Sequence, residues 1–162
     1  MQSFTTFLGL VFGTKVRLVR LQSLGPKVSE IVDFRDFFFV YCGANKTPHK
    51  LSLIVGTPTY NGCLTARMKE WLEDGLTKLD PAGKLGGAYA TAAYIHGGGD
   101  LAMQCVFTHM LVEGMMVYSG GQAKGAPVIH LGPVAIAPNL DDFAKLFITY
   151  GKRMAQQAAE LH

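Results

Sequence analysis

Leu53-Ile-Val-Gly-Thr-Pro-Thr-Tyr-Asn-Gly62, LIVGTPTYNG, carries an apolar run straight into a segment of threonine, proline, tyrosine, asparagine and glycine. The run from Lys50 to Val55 reads as a largely continuous apolar strand of the kind buried on both faces of a parallel sheet. The residues from Gly56 to Gly62 are turn formers and predict a loop. Beyond them, Leu64, Met68, Trp71 and Leu72 recur at helical spacing, with Arg67, Lys69, Glu70 and Glu73 mostly on the other side, so a helix is predicted over 64–76. Strand, loop, helix is the building unit of α/β folds.

The same unit returns downstream. A turn at Gly83 leads into the small, β-tolerant AYATAA, then Tyr94-Ile-His-Gly-Gly-Gly-Asp100, then a helix on which Met103, Val106, Phe107, Met110 and Leu111 share a stripe. Asp100 is predicted to cap that helix and Gly114 to close it. MMVY begins another strand, followed by a glycine- and proline-rich connection, SGGQAKGAPVIHLGPVAIAP, of a length usually reserved for functional loops. Asn139 is expected to cap a last helix, with Asp141 and Asp142 in its positive first turn and Phe143, Leu146, Phe147, Tyr150 and Met154 facing inward. Upstream, KVRLVRL at 15–21 suits a strand entered by Gly13-Thr14, whereas residues 22–50 read as a loop-rich insertion. The expectation is a single α/β domain over 1–162, with a mostly parallel sheet covered by helices on both faces and an atypical stretch at 1–49.

Composition narrows the classes. Of 162 residues, 49% are hydrophobic and 17% charged, which predicts a folded core and not a disordered chain. The net charge of +3 is dispersed, with no basic run interleaved with aromatics, so nucleic acid is not an expected partner. Cys42, Cys63 and Cys105 are odd in number and far apart, matching neither a disulfide framework nor a zinc site and implying reduced thiols in the cytoplasm. The most apolar long segment, Leu101 to Tyr118, is broken by Gln104, Thr108, His109 and Glu113, so no membrane span is expected. The apolar start lacks the basic residues and cleavage site of a secretory signal. His49, His96, His109, His130 and His162 have no metal-ligand spacing, and no metal is expected.

Ligands of open parallel sheets sit beyond the carboxyl ends of the strands, and both distinctive loops leave strands there. Thr57 to Cys63 offers backbone amides, two hydroxyls, an asparagine and the ring of Tyr60. Tyr94 to Gly99 offers a second ring, His96 and glycines that admit close backbone approach. Together they suit a flat heterocycle with a polar edge. The plainer readings stand beside this one: Pro58 and Gly62 as ordinary turn residues, Tyr60 and Tyr94 as a roof over the core, His96 bonded to backbone, His109 as a satisfied interior or interface histidine. Cys63 near a helix start lacks an evident base and reads as an inert thiol.

GTPTYNG, the helix LTARMKEWLE, then KLGGAYATAAYIHGGGD, a helix ending EGMMV and a final helix resemble the WrbA-like NAD(P)H:quinone oxidoreductases of the flavodoxin-like superfamily, over about residues 50–162. The resemblance implies a flavodoxin-like sheet, FMN as cofactor and NAD(P)H as co-substrate. It further implies two-electron reduction of a quinone or similar planar substrate, and assembly into a homo-dimer or homo-tetramer. It also implies that Thr57, Pro58, Thr59, Tyr60, Asn61 and Gly62 lie against the flavin ring, with Ala93, Tyr94, Ile95, His96, Gly97 and Gly98 bordering it from the other side. No catalytic residue is assigned.

Two departures accompany the likeness. The family's opening strand and phosphate loop, of the form Ser/Thr-x-Thr-Gly-x-Thr, are missing or altered, since KVRLVRL resembles the second strand and MQSFTTFLGLVF precedes it. Either Phe7 to Phe12 or Phe37 to Tyr41 is available for the empty central slot. The family's histidine near EGMMV is replaced by Val112 and Glu113. A phosphate without its cradle loses charge-assisted hydrogen bonds worth about 1.5–3 kcal/mol each. The expectations therefore include a flavin-free flavodoxin-like scaffold or oligomeric protein without activity, and a module for another flat ligand, as alternatives to the enzyme.

Overall fold

The computed structural model describes residues 38–43 and 51–161. The aromatic and β-branched run expected to fall within a loop-rich insertion instead forms strand β1, Phe38–Gly43, consistent with the strand preference of such residues. It pairs antiparallel with β2, Leu51–Tyr60, with Phe38 opposite Gly56 and Gly43 opposite Leu51. Of the two segments available for the central slot, the one at Phe37 to Tyr41 is described from Phe38 on and pairs with β2. The direction follows from the connection: a parallel crossover needs a dozen or more residues, and only 44–50 join these strands. The segments 7–12 and 15–21, and any phosphate loop near the start, lie outside the described residues.

The next strands in the sheet are β4, Leu85–Ala92, and β5, Met116–Val117; their order is β1-β2-β4-β5. β2 and β4 run parallel with Ser52 opposite Leu85 and Pro58 opposite Thr91. β5 pairs parallel with the start of β4, and β6, Val134–Ile136, pairs parallel with its end at Ala90–Ala92. The connection expected to run unstructured from Ser119 to Pro138 is therefore interrupted by a strand and by a 3-10 turn at Gln122–Lys124. In effect one sheet edge is shared by two short strands, with an excursion between them.

Alternation sorts the side chains. Leu53, Val55, Ala88 and Ala90 point to one face, where α1, Ala66–Asp74, supplies Met68 and Leu72, and α2, Gly99–Val112, supplies Met103, Val106, Phe107 and Met110. Ile54, Leu85 and Tyr89 point to the other face, against Phe147, Tyr150, Met154 and Ala158 of α3, Ala144–Leu161. Helices cover both faces of a mostly parallel sheet, as expected. Leu111, placed on the inward stripe from spacing, is 59% exposed at the end of α2.

Helix starts differ from expectation in two places. Gly98, not Asp100, is the N-cap of α2, and Asp100 sits inside the first turn where a carboxylate complements the helix dipole. Asn139 precedes a 3-10 turn, Leu140–Phe143, and makes no side-chain cap bond; Asp141 and Asp142 belong to that turn, and α3 follows it. Among the described residues no helix is long and apolar enough to cross a membrane.

Candidate functional site

The predicted loop after Val55 is mostly strand. β2 continues through Thr57, Pro58, Thr59 and Tyr60, then reverses at Asn61-Gly62 into β3, Cys63–Leu64, with Tyr60 opposite Cys63 and Thr59 opposite Leu64. Asn61 at φ 50° and Gly62 at φ 79° supply the two positive φ values of a tight hairpin turn, and Asn-Gly is the pair that tolerates them best. Thr65 then caps α1, its Oγ1 accepting from the Met68 amide at 3.1 Å. Cys63 is thus a rim residue of a hairpin and not the first residue of a helix.

Thr57 is buried, its hydroxyl donating to the Pro58 carbonyl at 2.9 Å. Thr59 Oγ1 is buried with no hydrogen-bond partner, a state that ordinarily costs about 1–3 kcal/mol. Tyr60, by contrast, is 57% exposed.

The second segment leaves the end of β4. Ala93, Tyr94, Ile95 and His96 are exposed, Tyr94 by 77% and Ile95 by 83%, and the Gly97 amide closes a turn on the Tyr94 carbonyl at 2.9 Å. Because β2 and β4 are parallel and in register, both segments emerge at one rim of the sheet. They meet there. Gly98, at φ 90°, lies against Gly62, and a Cβ on it would stand 2.3 Å from the Gly62 carbonyl oxygen. The space left by the missing side chain of Gly98 is occupied by the hairpin backbone.

Beside the rim stands a group that spacing did not suggest. Cys63 Sγ lies 3.7 Å from Cys105 Sγ on α2. One turn on, His109 Nδ1 donates to the Cys105 carbonyl at 2.7 Å, which leaves Nε2 to accept from Lys69 Nζ of α1 at 3.0 Å. His109 is thereby the satisfied histidine expected. Lys69 also bonds Glu73, whose carboxyl it holds below the usual glutamate range. Burial pushes the Cys105 thiol up, the Cys63 sulfur adds to this, and Lys69 opposes it.

A cavity of about 270 Å³ lined by Ser52, Leu53, Lys78, Leu79, Pro81, Lys84 and Met115 opens at the other end of the sheet, by the first residues of β2 and β4. It is remote in register from the rim.

The chain is 40% identical over 112 residues to a flavodoxin of Clostridium saccharobutylicum, a match covering 67% of this chain and 68% of that one. The chain belongs to the flavodoxin-like superfamily. It is also 31% identical over 130 residues to a protein of Gluconacetobacter diazotrophicus named NAD(P)H dehydrogenase (quinone), of which the chain spans 64%. A protein of that name from Rhodopseudomonas palustris is 30% identical over 129 residues, with the same 64% spanned. The chain therefore spans about two thirds of the length of the relatives it matches. Among solved structures, a WrbA-like flavodoxin from Agrobacterium tumefaciens superposes with TM-score 0.58 at 22% identity over 68% of each chain. A flavodoxin from the domain Archaea gives 0.52 at 19% over 67% of this chain and 65% of that one. No family model matches.

The fold of this flavodoxin-like chain is of the flavin-binding oxidoreductase type. Its rim combines an unpartnered buried hydroxyl, Thr59, with two exposed aromatic rings, Tyr60 and Tyr94. A flat ring whose edge carries hydrogen-bonding atoms fits that set, satisfying the orphan hydroxyl while covering apolar surface.

Proposed function

We propose that the rim holds the isoalloxazine ring of FMN and that the protein is an NAD(P)H:quinone oxidoreductase acting as a homo-oligomer. The observation that carries this reading is the abutment of Gly62 and Gly98, which makes one continuous rim out of the ends of two neighbouring parallel strands. The names of the relatives from Gluconacetobacter and Rhodopseudomonas support it.

Thr57, Pro58, Thr59, Tyr60, Asn61 and Gly62 would line the ring from β2 and its hairpin, and Ala93, Tyr94, Ile95, His96, Gly97 and Gly98 from β4. Bound FMN supplies two-electron transfer from NAD(P)H to a quinone. The protein's part is orientation and electrostatics. Backbone N–H groups of the hairpin and the Thr59 hydroxyl favour negative charge on the edge they face, and preorganised donors of this kind lower the barrier to forming that charge. The exposed faces of Tyr60 and Tyr94 supply flat apolar contact for a ring and for a planar substrate.

Fluorescence titration with FMN tests the reading. Saturable quenching, followed by bleaching of the bound flavin with NADPH and recovery with a quinone, is the expected result. A colourless protein that leaves FMN fluorescence unchanged overturns it and favours a flavin-free scaffold.

A further inference from the structure

The thiols of Cys63 and Cys105 are neighbours by tertiary structure alone, 42 positions apart in sequence and 3.7 Å apart in space. Cys63 is exposed on a two-residue strand just past a tight turn, whereas Cys105 is partly buried on a 14-residue helix. One thiol is open to solution and the other is held behind it. We propose that Cys63 and Cys105 form a reversible dithiol–disulfide couple that fastens the rim hairpin to helix α2.

The separation must close to about 2.05 Å for a disulfide, a movement within the reach of two χ1 torsions and the short β3 arm. A metal bridge is the rival use of such a pair. It is disfavoured here because both nitrogens of the adjacent His109 are engaged, and the ammonium of Lys69 sits at Nε2. Among the described residues no group of three metal-binding side chains is assembled.

The co-reactant is a low-molecular-weight disulfide. The Cys63 thiolate attacks one of its sulfurs, forming a mixed disulfide and releasing one thiol. Cys105, having lost its proton to water, attacks Cys63 Sγ and expels the second thiol. The two protein thiols are oxidised to one disulfide and the small disulfide is reduced to two thiols, so electrons and protons balance. Burial of Cys105 favours Cys63 as the first nucleophile, with Cys105 as the resolving thiol.

The couple is independent of flavin and is tested on the whole protein without it. Incubation with oxidised glutathione, alkylation and peptide mapping should yield a Cys63–Cys105 crosslinked peptide, two hydrogens lighter than the reduced pair and reversed by dithiothreitol. In Cys105→Ser, Cys63 should stop as the glutathione mixed disulfide. In Cys63→Ser, Cys105 should react at least roughly tenfold more slowly than Cys63 does. Stable glutathione on Cys63 of the wild-type protein without a crosslink, or a crosslink that runs instead to Cys42, overturns the proposal. Because the decisive readout uses the wild-type chain, it stands even where a variant folds poorly.

Discussion

Gly98 packs on Gly62 so closely that an added Cβ would overlap the Gly62 carbonyl group, with its carbon at 2.6 Å and its oxygen at 2.3 Å. A Cβ added at Gly62 would instead point into open space. Both residues have positive φ, so alanine at either carries backbone strain of about 1–3 kcal/mol. Only at Gly98 does a steric clash with backbone add to it. Gly98→Ala should therefore lower the urea unfolding free energy clearly more than Gly62→Ala. Equal losses in the two variants would mean that the two rim segments do not touch in solution.

Tyr150 and Tyr89 give opposite expectations from the same side chain. The Tyr150 hydroxyl accepts from the Ala88 amide at 3.0 Å and donates to the Tyr118 carbonyl at 3.1 Å, tying α3 to β4 and to the end of β5. Tyr89 is equally buried, packs edge-on against Phe147 with ring centroids 5.4 Å apart, and has no partner for its hydroxyl. Burial pushes both phenols upward from their ordinary pKa. Tyr150→Phe should cost about 1–3 kcal/mol by orphaning a buried amide, whereas Tyr89→Phe should be neutral or slightly stabilising. Chemical denaturation of both variants checks the contrast.

The legible parts of this chain were those set by short-range periodicity. Met68 and Leu72, or Met103, Val106, Phe107 and Met110, declare a helix face because 3.6-residue spacing is local, and all are buried as expected. The rim segments were legible as neighbours because parallel strands send their carboxyl ends the same way. The Asn61-Gly62 hairpin was present as a signal, two residues suited to positive φ, but the Pro58 before it masked the strand. β6 was hidden in a glycine- and proline-rich stretch that alone would not hold a strand; pairing with β4 makes it one. The contact of Cys63 with Cys105 depends on how β3 is placed against α2, and no spacing rule encodes that.

Arg153 is a buried cation that spends its donors on carbonyls. Its guanidinium bonds Gly120 O at 3.0 Å and Gly125 O at 2.9 Å, with longer contacts to Gly121 O and Lys124 O. These four lie on the excursion between β5 and β6, so Arg153 staples that excursion to α3. Arg153→Met should destabilise by roughly 2–4 kcal/mol through lost charge-assisted bonds. It should also speed proteolytic nicking at 120–125 before global unfolding. Arg153→Lys should rescue little, since an ammonium cannot span the same four acceptors. Unchanged cleavage at that segment would contradict the staple.

Lys69 lowers the Glu73 pKa, first through its hydrogen bond and then through its charge, with a smaller contribution from His109. A carboxyl whose folded pKa is depressed stabilises above its unfolded value, about 4.3, and loses that contribution as pH falls through the lower folded value. Both side chains are solvated, so the effect is small and salt-sensitive. Glu73→Gln should be slightly less stable than wild type at neutral pH, converge with it as pH falls below about 4.3 and through the lower folded value, and lose that neutral-pH difference in high salt. A wild-type acid limb that is insensitive to salt would assign that region to other carboxylates.

The proposed ring site predicts a separation of binding from stability. Tyr94 is exposed by 77%, so it contributes little to the core, and alanine there should leave the unfolding midpoint almost unmoved. A stacked aromatic contact is worth about 0.5–1.5 kcal/mol beyond its buried area, and each 1.4 kcal/mol is tenfold in affinity. Tyr60→Ala should therefore weaken FMN binding by roughly tenfold once the lost area is included. Thr59→Val should weaken it too while stabilising the flavin-free protein, because it removes a buried hydroxyl that has no partner until a ligand supplies one. That opposite pair of signs separates the ligand's hydroxyl from a structural one: a variant destabilised without FMN, with unaltered affinity, would show that Thr59 serves the fold and not the ring.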